Sequence, residues 1–292
     1  MYLIWPLIAA LAFALGSMIY KRAYAEGAGL AHTAVLNNVV LGIVFLPLLA
    51  LETRPIPWEK WHQPVLTSLV YVLGHLLNVV ALRFGDVSLG TPLLGAKIIF
   101  VAFVGWAIFG VELSASLWVA AVLATLGVVM MGYTEVHFSG GLGLTTSTAL
   151  GSALFFALTD TAIQAWGSGF GAWSFLALQF AGLGAFSLLM LPFFGLRSLR
   201  APPAAWKWIF AGIALSGLQA LLITGTIAFW KNAVGVNIVY ATRGFWSIVF
   251  VWTLGRWIKN DERATIGAGG MSLRLAGATL IFAAIVLAVV YK

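Results

Sequence analysis

Long apolar runs recur from one end of this chain to the other, and they leave few folds open. Runs of about 17 to 25 residues, each long enough to cross a bilayer as a helix, fall near 3–20, 32–51, 65–82, 88–110, 116–133, 147–166, 172–195, 206–229, 235–257 and 273–291. A helix rises 1.5 Å per residue, so about 20 residues match a hydrocarbon core of about 30 Å. Inside such a core every backbone donor and acceptor must find its partner within the protein, which leaves helices and closed barrels. The runs lack the period-2 alternation of barrel strands. An all-α membrane protein of ten transmembrane helices is therefore expected. Composition agrees: 62% of the 292 residues are hydrophobic and 9% charged, with a mean hydropathy of +1.01, against roughly 25% charged in a soluble domain. No segment is polar enough to fold as a soluble lobe, so function must sit within the membrane. The first run, "MYLIWPLIAALAFALGSMIY", precedes a small-residue "AYA" at 23–25. It has no basic stretch before it and is long enough to span, so it reads as the first span and not as a signal peptide.

The excess of 16 Lys and Arg over 9 Asp and Glu gives a formal charge of +7. Because the cations flank the apolar runs, topology explains them better than nucleic acid does. Ten of them lie in the odd-numbered connections (Lys21, Arg22, Arg83, Arg197, Arg200, Lys207, Arg256, Lys259, Arg263, Arg274) and four on the other side (Arg54, Lys60, Lys231, Lys292). Positive-inside reasoning then sets both termini outside the cytoplasm, and a multi-pass protein of a bacterial inner membrane is expected. With no cysteine in the chain, disulfides, thiolate metal sites and cysteine nucleophiles are excluded together. No cofactor or metal is expected.

The two halves echo one another. Lys97 stands 146 positions before Arg243, and 146 is half of 292. Ser68, Tyr71, His75 and Asn78 have counterparts 148 positions on in Ser216, Gln219, Ile223 and Thr226, and Pro47 has one in Pro192. Spacings of 3, 4 and 3 put each polar set on one helical face. Residues 1–138 and 139–292 thus read as two five-helix repeats. Five is odd, so the second copy enters the membrane from the opposite side and the repeats are inverted, as in many transporters.

Away from the span ends, the ionisable residues are His75, Lys97, Asp160 and Arg243. Such groups face a bundle interior or a wet cavity, because facing lipid is costly. Two cations on equivalent helices can line one cavity. Their charges with Asp160 sum to +1, which the carboxylate, phosphate or sulfate of a substrate would complete. Arg holds such a group bidentately and Lys as a point charge. The bland alternative is internal pairing with Asp160, or snorkelling toward an interface. Asp160, with Gln164 one turn later, either is that partner or holds a substrate amine or a coupling proton. The Ser68, Tyr71, His75 and Asn78 stripe either lines the cavity or bonds to neighbouring helices. Asn37 and Gln179, 142 apart, form another candidate pair, and Tyr240 shares a face with Arg243 and Ser247. The substrate-binding candidates are Lys97, Arg243, Tyr71, His75, Asn78, Tyr240, Gln219, Asn37 and Gln179, with Asp160 as a coupling or gate residue. Glu112 and Glu262, at matching places in the halves, read as structural groups near helix starts.

The stretch "ALRFGDVSLGTPLLGAKIIFVAFVGWAIFGVELSASLWVAAVLATLGVVMMG" resembles an EamA-type repeat of the drug/metabolite transporter superfamily. It has a short link, Pro92 early in the fourth span, "GVE" at its end and a glycine-rich fifth span. A looser copy runs from "AFWKNAVGVNIVYATRGFW" through "NDERATIGAGGMSLRLAGATLIFAAIVL", with Val239 where the first half has Pro92. The resemblance implies a central cavity, alternating access and small metabolites as substrates. Lys97 departs from the family's general pattern and favours an anionic metabolite, amino acids and related organic anions included. The alternative is export of neutral or cationic compounds, with Lys97, Arg243 and Asp160 forming an internal gate. An intramembrane enzyme lacks its parts, since there is no H-E-x-x-H, no serine-protease motif and one deep carboxylate. The expected partners are a small-molecule substrate, a coupling proton or counter-substrate, and the lipid bilayer. No nucleic acid is expected, and a monomer suffices because both halves lie in one chain.

Overall fold

The computed structural model describes residues 2–84, 93–133, 142–195, 199–258 and 268–290. Eleven helices carry the description: α1 (Ile4–Ala25), α2 (Asn37–Val44), α3 (His62–Phe84), α4 (Lys97–Phe109), α5 (Ala115–Tyr133), α6 (Leu142–Phe170), α7 (Ala172–Leu188), α8 (Pro203–Trp230), α9 (Ala233–Tyr240), α10 (Arg243–Ile258) and α11 (Ala268–Val290). Among the described residues there is no strand. Ile4–Ala25, His32–Leu51, Pro203–Trp230 and Ser272–Val290 are each long and apolar enough to cross a membrane, and Leu94–Phe109, Ala115–Met131 and Ala172–Leu188 are shorter apolar helices. The protein is all-helical and built to lie in a bilayer.

Local chemistry sets the helix ends. α4 stops at Gly110, whose φ of +63° is left-handed and suits glycine. α8 stops at Lys231, also left-handed with φ +51°, where the Lys231 N–H reaches the Ile227 carbonyl at 2.9 Å. The chain restarts at once, because the Asn232 Oδ1 accepts from the Gly235 N–H at 2.9 Å and caps α9. At the start of α5 the Ser114 hydroxyl accepts from the Leu117 N–H at 3.4 Å, while Glu112 is exposed in the preceding link.

Several of the expected spans are interrupted. A π-helical turn at His32–Leu36 leads into α2, and a 3-10 turn at Leu46–Leu51 carrying Pro47 follows it. A matching single turn, Leu191–Phe194 with Pro192, follows α7. Before α4 comes a 3-10 turn at Leu94–Ala96, and Ala241–Thr242 separates α9 from α10. Lys21 and Arg22 lie within α1, Arg83 within α3, Lys207 within α8, Arg256 within α10 and Arg274 within α11, so six of the ten cations counted as loop charges belong to helices. Pro92, Arg197, Lys259, Glu262, Arg263 and Lys292 lie outside the described residues.

Apart from α3 with α7, the principal packing pairs are α1 with α8, α3 with α6, α5 with α11, α2 with α7, α4 with α6, and α1 with α10. Replacing α1 to α5 by α6, α7, α8, α9/α10 and α11 in turn maps this set onto itself. The α1·α8 pair becomes α6·α3, α4·α6 becomes α10·α1, and α5·α11 and α2·α7 return to themselves. The α5·α11 pair meets backbone to backbone: a Cβ built on Gly127 would lie 2.6 Å from the Gly277 carbonyl oxygen, and one on Gly277 would lie 2.6 Å from that of Gly127. Such close approach through small residues replaces the hydrophobic drive that lipid does not supply.

Candidate functional site

Lys97 and Arg243 each occupy the first position of a helix that follows a break. Lys97 opens α4 after the Leu94–Ala96 turn, and Arg243 opens α10 after Ala241–Thr242. At the second break the Thr242 N–H bonds the Val239 carbonyl at 3.1 Å and the Gly244 N–H bonds that of Ala241 at 3.3 Å. These short-range bonds tighten the ladder there. A cation at a helix start gains nothing from the dipole, whose positive end lies there, so another interaction must hold it.

For Lys97 that interaction is Asp160. The Lys97 Nζ lies 2.7 Å from the Asp160 Oδ2, with the two side chains 17% and 7% exposed. The same oxygen accepts from the Asn237 Nδ2 at 2.7 Å, and that amide also donates to the Ala233 carbonyl at 2.9 Å. One turn further along α6, the Gln164 Oε1 accepts from the Ala233 N–H at 2.6 Å. α6 is thus fastened to the start of α9 at Gln164 and to its middle at Asp160. A buried ion pair compensates poorly for desolvation unless its remaining valences are filled; Asn237 fills one.

Arg243 is held differently. Its Cζ lies 4.6 Å from the centroid of the Tyr240 ring and 4.9 Å from that of Phe13 on α1. These two rings meet edge to face at 5.9 Å. Cation–π contact of this kind steadies a guanidinium without neutralising it. Among the described residues no carboxylate pairs with Arg243. Both cations nonetheless line one cavity, together with Leu94, Ile98, Asn237 and Tyr240. It measures about 10 Å³, room for about one water. The site is therefore shut around its charges in this structure, and a metabolite could enter only if the helices part.

The remaining candidates divide into two groups. Tyr71 on α3 packs at 5.3 Å against Phe156, one turn before Asp160 on α6, and lies within electrostatic reach of Asp160 and Tyr240. His75 stacks on Tyr71 at 6.2 Å, and the Asn78 Oδ1 is buried without a hydrogen bond. This face of α3 borders the central charges without lining the small cavity. Asn37 and Gln179 stand elsewhere, in the α2–α7 packing layer. The Tyr20 hydroxyl donates to the Asn37 Oδ1 at 3.0 Å, the Asn37 Nδ2 donates to the Asn38 Oδ1 at 3.0 Å, and the Asn38 Nδ2 reaches the Ser187 Oγ at 3.0 Å. Gln179 is 1% exposed, its backbone carbonyl accepts from the Ser68 hydroxyl at 2.7 Å, and its Oε1 has no hydrogen bond. Gln219 is half-buried on α8 and does not line the cavity. Sequence reasoning missed Asn237 and Phe13. Asn237 lies one turn before Tyr240 on the same face, and that polar spacing was the available signal.

Apolar helices of spanning length within an all-helical bundle define the class: an integral, multi-pass membrane protein. Residues 1–133 match the model of the EamA-like transporter family, a domain of the drug/metabolite transporter superfamily. One solved crystal structure superimposes with a TM-score of 0.72 over 99% of this chain and 98% of its own, at 13% identity; that likeness is one of fold. No curated protein matches the chain.

Proposed function

We propose that this protein is a secondary-active transporter, working by alternating access, of a small polar metabolite that bears an anionic group. Its two inverted five-helix repeats, 1–138 and 139–292, form ten spans in a bacterial inner membrane, and a monomer suffices because both repeats lie in one chain. The observation that carries this reading is the unequal state of the two cations. Asp160 satisfies Lys97, whereas Arg243 lines the same cavity with aromatic faces and, among the described residues, no carboxylate beside it. The cavity's formal charge of +1 is what a carboxylate, phosphate or sulfate would complete. Arg243 is the primary contact of that anion. Lys97 joins it when the helices part and Asp160 is freed to take a substrate amine, so amino acids are included.

A second reading has a specific observation behind it. The carboxylate of Asp160 already serves both Lys97 and Asn237, as the latch of an internal gate would, with neutral or cationic compounds as cargo. Thermal unfolding of the detergent-solubilised protein against amino acids, organic acids, sugar phosphates and amines separates the two, since a ligand that prefers the folded state raises its melting point. Stabilisation by anion-bearing compounds, lost in Arg243→Gln, is expected. Stabilisation by amines or neutral compounds that survives Arg243→Gln would favour the gate.

A further inference from the structure

Away from the charged centre, α2 and α8 part to leave a groove of about 390 Å³. Its walls are wholly apolar, among them Val40 and Val44 on α2 and Phe210, Ala214 and Leu221 on α8, with Phe210 and Val44 more than half exposed. The floor closes where α8 comes nearest: a Cβ on Gly217 would meet the Leu41 Cδ2 at 2.9 Å. The exchange of halves that relates the other helix pairs sends α2·α8 to α7·α3. That counterpart is tightly joined, with the Ser68 hydroxyl on the Gln179 carbonyl and Gly182 against the same serine. The opening is thus particular to one side of the molecule.

Water cannot settle in such a groove, because no polar group is there to bond it. An empty one would forfeit dispersion contacts along both walls. Hydrocarbon is the medium that surrounds these apolar helices, and the dimensions suit it. From Phe210 to Leu221 the axis advances about 16 Å, close to one leaflet's share of a core of about 30 Å. The charge pattern at the mouth narrows the choice further. Lys207 lies three residues before Phe210 and seven before Ala214, on the groove stripe. It is exposed, its Nζ sits 5.3 Å over the Trp208 ring, and among the described residues no carboxylate pairs with it. Arg22 lies over the same Trp208 ring at 5.8 Å, and Trp206 stacks on Phe210 at 5.6 Å. Paired tryptophans with basic neighbours mark the level of lipid headgroups.

We propose that the groove between α2 and α8 is a lipid site, holding one acyl chain of an anionic phospholipid whose headgroup is met by Lys207. The site stands apart from the Lys97 and Arg243 cavity and does not depend on what is transported. Native mass spectrometry of the full-length, delipidated protein, titrated with phosphatidylglycerol or with phosphatidylcholine of the same chains, tests it. One tight phosphatidylglycerol is expected, preferred by about fivefold, the contribution of one basic residue near a membrane surface. Lys207→Gln should abolish that preference, and Lys60→Gln, on the link between α2 and α3, should leave it. Ala214→Phe, which fills the groove, should weaken both lipids. Phe210→Ala, which only trims a wall, supplies the same readout should the filled variant fail to fold. Equal binding of the two lipids by the wild type would overturn the assignment, as would unchanged binding in the groove variants or dimers in place of a bound lipid.

Discussion

Lys97 and Arg243 occupy equivalent positions and live in opposite circumstances. Each begins a helix after a break, and each borders the same small cavity. Lys97 is locked at 2.7 Å to a carboxylate that a second side chain also holds. Arg243 rests on two aromatic faces. The difference teaches that one position can be tied into the fold by an ion pair while its counterpart keeps its charge unneutralised, as the proposed anion site requires. A strongly hydrated ammonium needs a direct counter-charge when buried, whereas a flat, weakly hydrated guanidinium can be parked on rings and still offer its donors.

The contrast can be broken most forcefully at Asp160. Asp160→Ala leaves Lys97 buried without its partner and should destabilise the protein by about 3 kcal/mol, read as a lowered unfolding midpoint in detergent. Adding Lys97→Met should restore part of that loss, the non-additivity expected of a contacting pair; simple additivity would mean that the pair does not hold the fold. At Arg243 the expected effect falls on flux instead. Arg243→Gln should lower counterflow of the anionic substrate in proteoliposomes at least about thirtyfold, about 2 kcal/mol, with little change in melting. Equal losses of flux and stability at both cations would erase the distinction between them. Asn237→Ala removes one hydrogen bond to the buried carboxylate and should cost about 1.5 kcal/mol of stability, measurable in the same melts. The smallest effect is expected far from the charges, at Ser68→Ala. One interhelical hydrogen bond there is worth about 0.6 kcal/mol, and a larger shift would mean that the α3–α7 contact does more than tie two helices.

Much of this could be read from the sequence because lipid makes the pattern blunt. A run such as 206–229 has to be helical once it is apolar and long, and α8 covers it. The spacing of 146 brought Lys97 and Arg243 together because both repeat position and polarity pointed inward, and the structure sets them on one cavity. The same arithmetic was less informative for Asn37 and Gln179. Amides bond equally well to helix neighbours, and only the fold shows that Asn37 is tied to Tyr20 and Asn38. Asn237 went unnoticed for the same reason. The break before Lys97 had a signal in Pro92 and Gly95, which a reading of 88–110 as one unbroken span passed over, whereas Ala241–Thr242 carries no proline or glycine to announce the second.

The meeting of Gly127 with Gly277 has a mechanical consequence. Two carbonyls that each fill the space a methyl would need act as a pin: α5 and α11 cannot slide along one another without collision, yet nothing there resists a small rotation. In the alternating-access cycle proposed above, this crossing would serve as a fulcrum, with the largest strokes farthest from it. An added methyl at either glycine would spread the axle itself, and a lever with a loose axle loses its throw at both ends.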